Sequence, residues 1–160
     1  MNPKAEKFSA MLTENKIGVF EISEVKDELQ SVVYRSAMEV GGQRLPVVVI
    51  IDQSIFVIVR TIVASNYQDN EKTRAELERH LNELNGQFKI FKYYTKENNL
   101  ILDMCLPASD ASFDPNIIRV VLDLAIKHLT EVFPALMEII WGKKQEAVNP
   151  PPASAQTGQR

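Results

Sequence analysis

The stretch SVVYRSAMEVGGQRLPVVVIIDQSIFVIVRTIVA, residues 31–64, decides the fold. Ser31–Val40 runs into Gly41-Gly42-Gln43-Arg44, a connection whose glycines accept the positive φ of a hairpin turn. Leu45–Asp52 follows, then a tight turn at Gln53-Ser54, then Ile55–Ala64. Connections this short favour antiparallel pairing, so the three strands form a meander. Pro46 stands at the start of its strand, where a missing amide hydrogen costs least. Asp52 is assigned to the turn that follows it.

These strands lack the alternation of a sheet with one wet face. In Ile55–Ala64 one side reads Ile55, Val57, Val59, Thr61 and Val63, and the other Phe56, Ile58, Arg60, Ile62 and Ala64. In Leu45–Asp52, Val47, Val49 and Ile51 oppose Val48 and Ile50. An antiparallel sheet open to water on one side ordinarily shows polar residues there.

Working outward, Asn2 and Pro3 supply an N-cap and a first helical residue. Ala5, Phe8, Met11 and Leu12 then mark one buried face, with Lys4, Lys7, Ser9 and Glu14 opposite. Val19–Ser23 reads as a brief strand and Glu24–Glu28 as a loop. Downstream of the meander, Asp69-Asn70-Glu71 opens a helix to Asn85 with Gly86 as its stop and Leu77, Leu81 and Leu84 as its stripe. Gln87–Thr95 and Leu100–Leu106 form a second hairpin around Lys96-Glu97-Asn98-Asn99, with Leu100, Leu102, Met104 and Leu106 sharing a face. Pro107–Phe113 is a loop. Asp114 and Pro115 repeat the cap-then-proline signal and open a long helix to Trp141, ended by Gly142. The order is helix, three or four strands, helix, two strands, helix. It predicts an α+β domain over residues 1–142: an antiparallel β-sheet meander plus a hairpin packed against helices. Residues 143–160, with Pro150-Pro151-Pro152 and small polar neighbours, read as a disordered tail.

Composition narrows the function. Of the 160 residues 45% are hydrophobic and 24% charged, ordinary for a globular domain. The net charge is -3, divided as -5 over residues 1–142 and +2 over 143–160. A mildly acidic domain is a poor binder of nucleic acid, which takes clustered Lys and Arg. Phe88, Phe91, Tyr93 and Tyr94 interleave with Lys89, Lys92 and Lys96, but strand alternation splits them between two faces. The start lacks the apolar core of a signal peptide, and no run approaches the ~18 apolar residues of a membrane span. A cytoplasmic protein with no nucleic-acid or membrane partner is expected.

Catalytic constellations are absent. Cys105, the single cysteine, sits between Met104 and Leu106 and reads as a buried, inert thiol. His80 and His128 lie on separate helices without ligand spacing, which gives neither a metal site nor a nucleophile's base. Asp103, mid-strand among apolar neighbours, reads as a paired or edge-facing aspartate rather than a tuned acid or base. No phosphate-binding loop, dinucleotide fingerprint, nucleophile elbow or zinc-protease helix is present, so neither a cofactor nor a metal is expected.

What stands out is apolar surplus. In the last helix Asn116, Arg119, Asp123, Lys127, Thr130/Glu131 and Glu138 trace one narrow polar strip, and most of the remaining circumference is aliphatic or aromatic. A helix lying on one sheet needs an apolar arc of only ~100° or somewhat more. Pro134 interrupts its hydrogen-bond ladder and is expected to bend it. The favoured arrangement has helices on one sheet face, with another subunit or a client covering the remainder. Leu129, Phe133, Leu136, Ile140 and Trp141 are the candidate anchors of that contact. The expectation is a non-enzymatic, homodimeric protein-binding module, chaperone-like or an assembly factor. The alternative is a small-ligand-binding or enzymatic domain with its pocket between sheet and long helix, where Asp103, Arg60 and His128 would converge.

This arrangement resembles the YbjN-like group and the wider type III secretion chaperone-like fold. The likeness lies in the leading helix, the meander Ser31–Ala64, the helix Asn70–Asn85, the hairpin Gln87–Leu106 and the closing helix Pro115–Trp141. It is nearest to a cyanobacterial and plastid branch of that group. The resemblance implies small acidic homodimers that hold a partner's unfolded segment on apolar patches, and it transfers no catalytic residue.

Overall fold

Local turn chemistry sets the registers. The computed structural model describes residues 2–142. Gly41 and Gly42, at φ 56° and 74°, make a two-residue turn between β2 (Val32–Val40) and β3 (Gln43–Ile51), with Val40 directly opposite Gln43. The expected connection of four residues is thus two, because both glycines take the left-handed conformation such a turn requires. Asp52 Oδ1 accepts from the Ser54 amide at 2.8 Å and closes the turn into β4 (Phe56–Ala64). Pro46 is the fourth residue of β3; the β3–β4 pairing runs from Val47 to Ile51 and so stops just short of it. A second two-residue turn, Glu97 and Asn98 at φ 51° and 58°, joins β5 (Phe91–Lys96) to β6 (Asn99–Pro107). A short β1 (Glu21–Glu24) lies against β2, and the six strands form one antiparallel sheet in the order β1-β2-β3-β4-β6-β5.

Among the described residues three helices complete this α+β fold. In α1 (Pro3–Glu14) Asn2 accepts from the Ala5 amide at 2.9 Å. The Asn2 amide also donates to the carbonyls of Gln30 and Ile51, tying the helix start to the sheet end. Lys4 is buried, contrary to the expectation that it faces water, because its ammonium donates to the carbonyls of Ser54 and Ala108. In α2 (Glu71–Gln87) Asn70 accepts from the Thr73 amide at 3.0 Å. This helix passes through Gly86, and the Asn85 side chain clasps the backbone of Tyr93, donating to its carbonyl and accepting from its amide. That clasp extends the helix and delays β5 to Phe91. In α3 (Asn116–Trp141) Asp114 accepts from the Asn116 amide at 2.9 Å, and the helix continues across Pro134. No helix of the described residues is long and apolar enough to cross a membrane. The tail expected over residues 143–160 lies outside the described residues.

The helices share one side of the sheet. Tyr34, Val49, Val59, Met104 and Phe91 follow one another in register across five strands and are buried. Phe8 of α1 meets Tyr34 edge-on at 4.8 Å between ring centres, and Tyr34 donates to the Ala5 carbonyl at 3.0 Å. His128 of α3 stacks on Phe91. Phe133 closes on the first hairpin, where a β-carbon at Gly41 would stand 2.9 Å from its ring. Ile118, Val121, Ala125, His128, Leu129, Phe133, Leu136 and Ile140 form the buried stripe of α3. Leu129, Phe133, Leu136 and Ile140, expected as partner anchors, are therefore spent on the chain's own core. Of the five candidates Trp141 alone is exposed, at 57%.

Candidate functional site

Among the described residues no helix lies on the other side of the sheet. By the two-residue period, neighbours of core residues point away from the core. One register row reads Glu21, Arg35, Val48, Arg60, Asp103, Lys92 across all six strands. The next reads Ser23, Val33, Ile50, Ile58, Cys105. Below them Ala37 pairs with Pro46, and Ile62, Ile101 and Tyr94 form a further row. Val48, Ile50, Ile58 and Ile62 are half-buried by cross-strand neighbours, Phe56 is exposed, and none of them belongs to the core cluster. Val33 and Ile101 are buried yet also lie outside that cluster. The result is an apolar plate crossed through its middle by one charged row.

An ionic network sits in the middle of this plate. Arg60 donates through Nε to Asp103 Oδ1 at 2.7 Å and through Nη2 to Oδ2 at 2.8 Å. Tyr94 donates to Asp103 Oδ2 at 3.1 Å. Asp103 is buried, at 4% exposure, while the Arg60 side chain keeps 35%. The carboxylate's hydrogen bond holds the Arg60 guanidinium further above its ordinary pKa. Burial, with the Asp103 charge behind it, raises that of Tyr94. Lys92 lies over the Tyr94 ring at 5.5 Å. The arrangement is a bidentate fork, the strongest common form of carboxylate pairing. It accounts for an aspartate mid-strand as a paired one, the first of the two arrangements its sequence setting left open. Three donors already occupy the carboxylate, which suits it to holding charge in place rather than to moving protons.

His128 lies on the opposite side. Its Nε2 is 2.7 Å from the Tyr93 hydroxyl, and its ring is 4.2 Å from Phe91 and 4.4 Å from Phe88, centre to centre. Burial lowers its pKa, with Glu131 opposing the shift, and burial pushes that of Tyr93 far upward. His128 Nδ1 is buried without a hydrogen-bond partner among the described residues. The sheet separates His128 from Arg60 and Asp103, so these three line no common pocket. His80, half-buried on α2, stands 3.9 Å from Glu83, and its Nε2 is buried without a hydrogen-bond partner among the described residues. Cys105 is exposed on the open face, not buried, because it falls on the side of β6 away from Met104. Among the described residues no group of three or more His, Cys, Asp or Glu could hold a metal ion.

Smaller apolar features flank α3. Ile117, Val120 and Leu124 form an exposed line on one shoulder. Leu124 enters a cleft of about 370 Å³ with Phe88, Ile90 and Phe91. On the other shoulder Trp141, Met137 and Phe133 line a groove of about 620 Å³ beside Gly41. The sequence named Val48, Ile50, Ile58 and Ile62 as surplus but placed the anchors on α3; the period of a strand does not say which of its faces is roofed. Comparison with protein-family models, curated proteins and solved structures finds no match for this chain.

Proposed function

We propose that this chain is a non-enzymatic, cytoplasmic protein-binding module that works through its open sheet face, in a chaperone-like or assembly role. The observation that carries this reading is the apolar plate Val33, Val48, Ile50, Ile58, Ile62 and Ile101, which lies outside the core cluster and has no helix of the described residues over it. Soluble proteins rarely leave such a contiguous surface bare unless something docks there. The separation of His128 from Arg60 and Asp103 supports this reading over a small-ligand-binding or enzymatic domain, which their convergence in one enclosed cavity would have favoured.

The test is comparative. Tagged wild-type chain and an Ile58→Lys variant are isolated from the native cell, and the proteins that accompany each are quantified. Proteins retained by the wild type and lost with the variant, at unchanged circular dichroism, support the reading. Equal retention by both would move the binding function off this face.

A further inference from the structure

Resting on the reading of the open face as a protein-docking surface, we infer that its occupant is a second copy of this chain, packed face to face about a two-fold axis parallel to the strands. The argument is the charge order of the central register row. Across β1, β2, β3, β4, β6 and β5 it runs Glu21 (negative), Arg35 (positive), Val48 (neutral), Arg60 (positive), Asp103 (negative), Lys92 (positive). A two-fold axis along the strands lays β1 of one copy over β5 of the other, β2 over β6, and β3 over β4. Glu21 then faces Lys92, Arg35 faces Asp103, and Val48 faces the aliphatic stem of Arg60, each contact made twice. Every facing pair of charges is of opposite sign. An axis running across the strands along this same row would instead set each charge against its own copy, an arrangement that is strongly disfavoured.

The apolar rows agree. In the adjoining row Ile50 faces Ile58, and Val33 faces Cys105. Asp103 has about four acceptor positions as a carboxylate, of which Arg60 and Tyr94 fill three. Arg35 of the second copy supplies the remaining one, and the Arg60–Asp103 pair enters the interface already neutralised, which lessens the cost of burying it. Size is adequate as well. Four strands of nine residues within a sheet of six make a plate of about 24 by 30 Å, roughly 700 Å². A standard stable interface takes about 800 Å² from each partner.

Light scattering on the full chain at micromolar concentration should give twice 18.1 kDa. Ile58→Lys should weaken the dimer by more than about 100-fold, since it places an unpaired charge in the centre. Glu21→Lys or Lys92→Glu alone, both at exposed positions and with an unchanged circular dichroism spectrum as the folding control, should each weaken it roughly 2–30-fold, as expected for two exposed ion pairs. The double exchange should restore it. Val33→Cys should be joined to Cys105 of the second copy by a short bis-maleimide, while wild type, with its two Cys105 far apart, should not. A monomer at every concentration overturns the inference. So does a dimer indifferent to Ile58→Lys or to both charge reversals. A monomeric chain whose protein partners are still lost on Ile58→Lys would overturn the second copy as occupant while upholding the docking surface itself.

Discussion

The two faces of the sheet are made of nearly the same residues but have different fates. On β4, Val57 and Val59 are fully buried while Ile58 between them is only half-buried. On β3, Val47, Val49 and Ile51 are buried, and Val48 and Ile50 are not. Side-chain chemistry does not separate these sets; the placement of three helices does. An apolar residue contributes about 1.5–3 kcal/mol when fully removed from water, so the roofed face holds the fold together. On the open face much of that free energy stays unrealised in the single chain. Each face also carries one polar network, His128 with Tyr93 beneath the helices and Arg60 with Asp103 and Tyr94 opposite.

The sharpest test of this division is a pair of truncations. Leu102→Ala removes a fully buried side chain on the roofed face and should lower unfolding free energy by about 2–5 kcal/mol in urea titration. Ile50→Ala, the smallest effect in the series, should cost only about 1 kcal/mol at low protein concentration. Equal losses at the two sites would mean that both faces are core.

Between these extremes lie the two networks. Asp103→Ala deprives Arg60 and Tyr94 of their shared acceptor and should cost about 1–3 kcal/mol; a change indistinguishable from zero would make the network ornamental to stability. His128→Phe leaves the Tyr93 hydroxyl without its partner and should cost about 1–2 kcal/mol at pH 7.5. It should also change the pH dependence. Burial lowers the pKa of His128 in the folded chain from its ordinary 6.5, so the native state prefers neutral imidazole. Its contribution is fully present above pH 6.5 and is lost as pH falls through that value toward the depressed one. The difference in stability between wild type and His128→Phe should therefore shrink from pH 7.5 to pH 5. A constant difference would show that His128 keeps the same proton affinity folded and unfolded.

Much of the fold was legible because its signals are local. Gly41-Gly42 declares a hairpin, and Asn2-Pro3, Asn70 and Asp114 declare helix starts, each by hydrogen bonds within a few residues. The errors arose where a distant contact intervened. Asn85 reaches Tyr93 and carries α2 past Gly86. The ammonium of Lys4 reaches carbonyls 50 and 104 residues away and is buried by them. The candidate surface was half legible: its residues were visible as surplus, but the anchors were assigned to α3, whose Leu129, Phe133, Leu136 and Ile140 the core consumes.

Residue order alone determined an antiparallel α+β sheet with more apolar side chains than one layer of helices needs, because turns, caps and periodicities act over a few residues. Only the tertiary structure decided which side of that sheet the helices cover. That choice depends on where α1, α2 and α3 pack after long excursions of chain, and strands apolar on both sides leave it open. The same packing sent Cys105 and Asp103 to one face and His128 to the other.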